Sequence, residues 1–383
     1  MNTIKVFGTI EGNKEKYTDF LKGMCAFEAR AYDKVEIDRM NDYITEFATG
    51  EGFSVTRTPF EKCGDFLTVE INKGAEKGGV FLAHTATVHV KGIFGKDPVT
   101  DLGDRIKAPG AIDCKGGIAV AMLMMSAMKK NGYDKNLKLI LTSDEEISNS
   151  LGGQKERDFF AQSVLGYPFA LNCETTEKDE VVVSRKGILR YKIEVKGVSG
   201  HSGIHYFESR NALAEAAHKI VALESASKKG ETTYSCNTIN AGSVPNIIPD
   251  SCAFVLDVRV HTHSAIEKAK KTVKTIVDRS YVGGTTSVAT LLSERPPMEK
   301  TEETMKLFEE ILDTTQRNGL GSLTPVESGG GSDSCYTQAA GVPSLCGLGP
   351  SGEYCHTPEE YVKKDTIPLR AKILAAFLCE RVG

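Results

Sequence analysis

Two histidines and four carboxylates in this chain are of the types and in the places that metal chemistry needs: His84, Asp113, Glu145, Glu146, Glu174 and His356. Imidazole nitrogen with carboxylate oxygen is the donor set that suits zinc, cobalt or manganese. Two ions sharing one carboxylate need about this many ligands. Asp113 sits in the stretch 108–117, Ala-Pro-Gly-Ala-Ile-Asp-Cys-Lys-Gly-Gly. That is a glycine-flanked connection from which both carboxylate oxygens can face a cavity. Glu145 and Glu146 are adjacent, and neighbours at a strand end point to opposite faces. One of them can therefore bind metal while the other takes a proton from an attacking water.

The elements that must position these groups are legible around them. Residues 79–84 form a short apolar run ending in His84, 137–142 one that leads into Ser143-Asp144-Glu145-Glu146, and 167–173 one that ends at Glu174. Residues 118–128 are too densely apolar for one face and predict a largely buried helix. Strand, helix, strand, helix, strand is the pattern of a mainly parallel α/β sheet, whose ligands bind beyond the carboxyl ends of the strands. Upstream, 14–49 reads as helical, with strands at 53–58 and 66–71. From Gly187 the order becomes strand 189–195, helix 209–225, strands 238–244 and 253–260, helix 264–280 and strand 286–294. That order predicts a small α+β sandwich of ferredoxin-like type. Helix and strand signals resume at 301–316, 344–348 and 364–379. The expected organisation is a catalytic domain of residues 1–187 and 297–383 with 188–296 inserted.

The 383 residues carry a formal net charge of −4, which gives no electrostatic footprint for nucleic acid. The N-terminus has no signal-like apolar segment and no run reads as membrane-spanning, so no membrane association is expected. Ten cysteines are scattered singly without a CxxC pair. That argues against a sulfur-ligated zinc or a disulfide framework, and for a reducing, cytoplasmic setting.

Taken in order, these stretches resemble the M20 metallopeptidases and amidohydrolases, a family of glutamate carboxypeptidases, aminoacylases and deacylases of succinyl-diaminopimelate and acetylornithine. The matching stretches are 84–88 (His-Thr-Ala-Thr-Val), 110–117, 142–146 (Thr-Ser-Asp-Glu-Glu), 172–176, Asn246 to Pro249, Asp257 to Arg259, 329–333 (Gly-Gly-Gly-Ser-Asp) and 349–356. The glutamate carboxypeptidases are the nearest in pattern, through 90–94, Asn246 to Pro249 and the triple glycine. The resemblance implies a zinc-exopeptidase-like α/β/α catalytic domain with an inserted ferredoxin-like α+β lid and dimerisation domain. It implies two divalent metal ions, zinc with cobalt or manganese as alternatives, bridged by Asp113. His84 and Glu174 would complete one, Glu146 and His356 the other, and Glu145 would be the general base. It further implies a cis peptide after Asp113. His201 would stabilise the oxyanion across a homodimer. Arg259 and Asn246 would hold the substrate's carboxylate and carbonyl, with Arg295 and Gly330 as further substrate contacts. The remaining histidines, 89, 205, 218, 261 and 263, read as structural or solvated.

One position departs from the family. Its aspartate two residues after the first histidine is Ala86 here. A metal-bound histidine usually donates its other ring N–H to such a carboxylate. Without it the His84 ring is expected to be free to rotate or change tautomer. The chain would then bind metal and a small acyl amino acid or peptide while turning over slowly, whether the replacement is natural or engineered. A catalytically silent metal- and ligand-binding homologue is the competing reading.

Overall fold

Helix α1 (Thr3–Cys25) begins at Asn2, whose side chain accepts from the Lys5 N–H, and α2 (Lys34–Gly50) begins at Asp33, which accepts from Glu36. The sequence reads as helical across 14–49, but the chain breaks between Cys25 and Lys34. There the backbone turns to another partner: Thr87 donates to the Ala29 carbonyl and accepts from Ala31 N–H, at 2.9 and 3.1 Å. A segment whose N–H and C=O groups are taken laterally cannot continue a helical ladder. The computed structural model describes residues 1–176 and 179–381, in two compact units. The first comprises 1–184, 300–328 and 332–383; the second comprises 185–299 with Gly329–Gly331.

The first unit is built on a six-stranded sheet. Its labelled strands are β1 (Ser54–Thr58), β2 (Phe66–Ile71), β3 (Lys77–His84), β4 (Asn136–Thr142) and β5 (Ala170–Asn172). The spatial order is β1-β2-β4-β3-β5, closed by the two-residue strand Ser344–Leu345. β4, β3, β5 and the closing strand run parallel, and β1 and β2 pair antiparallel at one edge. The central strands β3, β4 and β5 are largely apolar and buried because both faces are covered, whereas the edge strand β1 is mostly exposed. Phe81, Ala83, Leu139, Leu141 and Leu171 enter the core shared with α1, α2 and helix α3 (Gly116–Lys130). Val80, Leu82, Ile140 and Ala170 pack on the other side with Phe160, Val164, Tyr336 and Val342. Three layers result, α/β/α.

Helix α3 buries every residue from Ile118 to Met128. Each fully buried Ile, Leu, Val or Met side chain there stabilises the fold by roughly 1.5–3 kcal/mol. Joined to the turn before it, Ala111–Lys130 is long and apolar enough to cross a membrane by length and composition, which the sequence reading missed. Its side chains are instead buried inside the first unit.

The second unit carries β6 (Gly187–Lys196), α4 (Ala212–Ser225), β7 (Thr233–Ala241), β8 (Ser251–Val260), α5 (His263–Asp278) and β9 (Thr286–Arg295). All sheet neighbours are antiparallel, in the order β7-β8-β6-β9, which is the ferredoxin-like topology. One sheet face (Leu189, Tyr191, Ile193, Val195, Phe254, Leu256, Val258) packs on Ala212, Ala216, Leu223, Ile266, Ala269, Val273 and Val277 of the helices. β7 lies five residues earlier than expected at its start. It absorbs a bulge between Cys236 and Thr238 and ends before Gly242, whose φ of +67° suits a turn.

Candidate metal centre

β4, β3 and β5 are adjacent and parallel, with His84 opposite Thr142 and Leu82 opposite Asn172. Their carboxyl ends therefore deliver His84, the Glu145–Glu146 turn and Glu174 to one edge of the sheet. Asp113 comes from the turn between Gly110 and α3. Gly110 has φ +69°, and a Cβ there would lie 2.5 Å from the Thr87 methyl. A Cβ on Gly117 would collide with the Cys173 carbonyl. The glycines thus let this turn lie against the two strand ends that carry His84 and Glu174. The Asp113–Cys114 peptide is cis, as the resemblance implies.

Asp113 divides its two oxygens between two imidazoles. His84 Nε2 lies 2.9 Å from Oδ1 and His356 Nε2 3.1 Å from Oδ2. Each imidazole has a second carboxylate of its own: Glu174 Oε1 is 3.4 Å from His84, and Glu146 Oε2 is 3.3 Å from His356. The sequence-predicted ligands are brought together in two halves joined by Asp113. Ligand atoms within 4.8 Å of one another group His84 with Asp113 and Glu146, and His84 with Glu174 and Cys114, the last a residue not singled out from sequence. Burial pushes that thiol well above its usual range, and its Sγ donates to the Cys173 carbonyl at 3.3 Å. It stays a thiol, and the ligand set is the oxygen and nitrogen one.

The electrostatics test whether cations fit. Burial would lower the pKa of His84, but Glu174, Asp113 and Glu146 outweigh it and hold it well above the ordinary value. Hydrogen bonds to Asp113 and Glu146 raise His356 to about 11. Asp113, though buried, is held far below the carboxylate range by hydrogen bonds from His356 and His84. Glu146 is raised to about 7, by burial first and the Asp113 charge second. Its Oε1 is buried with no hydrogen-bond partner among the described residues. Three carboxylates (Asp113, Glu146 and Glu174) face the two imidazoles here, and bound cations would offset their charge.

The ring of His84 is not free. Its Nδ1 lies 2.9 Å from the carbonyl oxygen of Ala86. A carbonyl only accepts, so Nδ1 carries a proton; Nε2 faces two carboxylate oxygens, which it meets as an N–H donor in the metal-free protein and would meet through a metal ion in place of that proton. A proton or a metal ion between Nε2 and these carboxylates satisfies both. The expectation that Ala86 leaves the ring free to turn is therefore corrected: residue 86 holds the tautomer through its backbone, while its methyl is fully buried in the apolar core.

Glu145 and Glu146 lie on a single 3₁₀ turn, Glu145–Ile147, rather than on an extended strand end. Their side chains diverge by about 120°, the step of that helix, in place of strand alternation. Asp333 of the Gly-Gly-Gly-Ser-Asp stretch fixes this turn from both sides. It accepts from the Thr142 hydroxyl before the turn and from the Asn149 amide after it, the latter at 3.0 Å.

The remaining predicted residues belong to the second unit. His201 lies on the short strand Gly200–His201, paired with Ile247–Ile248, and Asn246 adjoins it through Ser202 N–H to Asn246 O at 3.0 Å. Arg259 is engaged with Asp257 at 2.6 and 3.2 Å and donates to the Gly329 carbonyl at 3.4 Å. Arg295 is buried against Gly331, and Arg185, which the sequence reading did not single out, donates to the carbonyls of Gly330 and Gly331 at 3.4 and 3.1 Å. The triple glycine is thus a backbone strip held by arginines, a pattern that only the close approach of the two segments reveals.

Known proteins resemble this chain in sequence and in fold. Carboxypeptidase G2 of Pseudomonas sp. (strain RS-16) is 27% identical over 337 residues, covering 86% of this chain and 80% of that protein. A succinyl-diaminopimelate desuccinylase of Aromatoleum aromaticum is 27% identical over 328 residues, covering 78% and 82%. The Bacillus subtilis YXEP protein, described as a dinuclear metal-binding peptidase of family M20, shares the fold with a TM-score of 0.69 at 15% identity, covering 97% of this chain and 99% of that one. Residues 80–380 match the family as a whole. The chain belongs to peptidase family M20/M25/M40.

Proposed function

We propose that this chain is a two-metal hydrolase that cleaves an amide bond to release a free amino acid, as a carboxypeptidase or an N-acyl-amino-acid amidohydrolase. The observation that carries the reading is the division of the two Asp113 oxygens between His84 and His356, each imidazole having its own second carboxylate. His84, Asp113 and Glu174 would hold one ion, and His356, Asp113 and Glu146 the other. Zinc suits these donors, and cobalt or manganese would also fit. Such a pair supplies Lewis-acid polarisation of the scissile carbonyl and a water acidic enough to attack near neutral pH.

The chain's own residues do the rest. Glu145 takes the proton from the attacking water and returns it to the leaving nitrogen, so the amide bond breaks without a free amide anion forming. Arg259 and Asn246 bind the carboxylate and carbonyl of the released amino acid, with Arg295 and the Gly330 backbone as further contacts. His201 donates to the oxyanion of a partner copy in a homodimer formed through residues 188–296. All ten cysteines are free, which supports a cytoplasmic location.

Ala86 bears on rate. The Ala86 carbonyl orients the ring of His84, but a neutral acceptor makes Nε2 a weaker base than a carboxylate would. Turnover is therefore reduced rather than abolished. The same residue favours a second reading, a homologue that binds metal and ligand without turnover. A panel of N-acyl amino acids and dipeptides, including γ-linked and folyl glutamates, assayed with zinc, cobalt and manganese, separates the two. Amino acid release that stops on chelation and returns with metal supports the hydrolase. Metal and ligand binding with no release on any substrate supports the silent homologue.

A further inference from the structure

Asp113, His84 and His356 lie on three separate segments, and one buried pair touches all three. Glu360 is fully buried, four residues beyond His356; His89 is 4% exposed, five residues beyond His84. Glu360 Oε2 lies 2.6 Å from His89 Nε2. Its other oxygen accepts from the backbone N–H of Ile112 at 3.0 Å and of Asp113 itself at 3.3 Å. The Glu360 carbonyl accepts from Ala108 N–H at 3.2 Å, where Arg105–Lys107 pairs with Tyr361–Lys363. His89 is fixed in turn by its N–H to the Thr87 hydroxyl at 3.3 Å and by Phe94, whose ring meets it edge-on at 4.9 Å. The partners of the pair among the described residues are each other, backbone N–H groups and the Thr87 hydroxyl, so the pair stands outside the proposed ligand set.

We propose that Glu360 and His89 are positioning residues for the metal centre, with Glu360 setting the direction of the Asp113 carboxylate by holding its amide and His89 tying that hold to the His84 segment. The proposal rests on the metal-centre reading above. The physical argument is one of geometry. A bridging carboxylate must offer both oxygens at fixed angles, and the peptide that carries it turns with its N–H. A buried carboxylate accepting two successive N–H groups prevents that rotation, as an outer-shell partner does for a ligand side chain. Because Glu360 acts as an acceptor, glutamine can replace it, keeping an oxygen for Ile112 and Asp113 and an NH2 for the other His89 tautomer.

The test uses the full chain stripped of metal, titrated with cobalt(II) and followed by calorimetry and by its visible absorption band, with the melting midpoint of the metal-free form as a control. Glu360→Ala should weaken cobalt binding about 10–100-fold and change the band. Glu360→Gln should recover affinity to within severalfold of the parent, and His89→Ala should fall between. His89→Ala carries the test if Glu360→Ala does not fold. Parental affinity and band in folded Glu360→Ala or His89→Ala would overturn the proposal. A loss in Glu360→Gln as large as in Glu360→Ala would also overturn it, because charge rather than acceptor geometry would then be the cause. If the parent chain itself takes up no cobalt, the metal-centre reading falls first and this inference with it.

Discussion

Glu215 and Lys219 lie one turn apart on α4 of the second unit, both fully buried, with 2.7 Å between Oε1 and Nζ. The other carboxylate oxygen accepts from Tyr281 and Val282 N–H, and the ammonium also reaches the carbonyls of Val277 and Arg279. Around Asp113 in the first unit, buried carboxylates outnumber cationic groups, two imidazoles face carboxylate oxygens, and Glu146 Oε1 has no hydrogen-bond partner among the described residues. The first arrangement is closed on itself, one charge against one charge, and it ties α4 to the C-terminal end of α5. The second is open, with an excess of carboxylates that bound cations would balance. Buried charge alone does not mark a site; an excess of one sign among buried groups does.

The largest expected effect lies inside the open cluster. Glu145→Gln should lower turnover by about 10²–10⁴-fold with metal content unchanged, whereas Glu146→Gln should lose one ion. Metal analysis beside the rate decides this, and equal metal loss in both variants would mean the two roles are exchanged or shared.

The closed pair should respond in stability alone. Lys219→Met leaves Glu215 buried without its cation and should cost about 3–5 kcal/mol in denaturant unfolding. Glu215→Leu combined with Lys219→Met should recover much of that, as apolar replacement of a whole buried pair often does. A loss of metal affinity in either variant would break the distinction between the two regions.

The pH dependence of the metal-free protein sharpens it further. The folded pKa values of His84, His356 and Glu146 are all raised. A raised group contributes stability that is full below its unfolded pKa and is lost as pH rises through its folded value. For Glu146 that loss runs from about 4.5 to about 7, and for His356 from about 6.5 to about 11. Asp113 is lowered and acts oppositely, its contribution being lost in acid below its unfolded pKa of 3.8. Metal-free protein should therefore melt at progressively lower temperature from pH 6.5 to 9, and bound metal should remove that slope. Uptake of metal near pH 7.5 should release protons, measurable by calorimetry in buffers of different ionisation enthalpy. A flat metal-free profile would mean the imidazoles are neutral and the cluster less electronegative than its geometry implies.

Much of the candidate site was legible because apolar strands ending in His84, Asp144-Glu145-Glu146 and Glu174 carry their own signal, and a densely apolar α3 identifies the turn before it. What stayed hidden depends on pairing between distant segments. Glu360 and His89 are 271 residues apart, and His89 alone reads as an ordinary structural histidine. The strands Arg105–Lys107 and Tyr361–Lys363 that bring Glu360 to Asp113 are too short for periodicity to reveal. Arg185 acquires interest only from the Gly330 and Gly331 carbonyls beside it. The break between α1 and α2 was missed for the same reason, since Thr87 causes it from outside the segment.

The smallest expected effect concerns Ala86. From sequence, a missing carboxylate leaves His84 without an orienting partner, and restoring it should rescue the rate strongly. The Ala86 carbonyl at 2.9 Å from Nδ1 already fixes the tautomer and the ring plane. A carboxylate at this position could add only charge, making Nε2 a stronger donor to a metal ion. Residue 86 is fully buried among apolar side chains, so the new carboxylate must be desolvated and must compete with the carbonyl for one N–H. Ala86→Asp should therefore raise turnover by about tenfold and tighten metal binding by a similar factor, the low end of outer-shell effects. The melting temperature of the metal-free form should stay the same or fall slightly. Comparing kcat at saturating metal with metal affinity separates the outcomes. A hundredfold or greater gain would show that the carbonyl is a poor substitute. No gain in rate or affinity would show that orientation, and not charge, is what His84 requires.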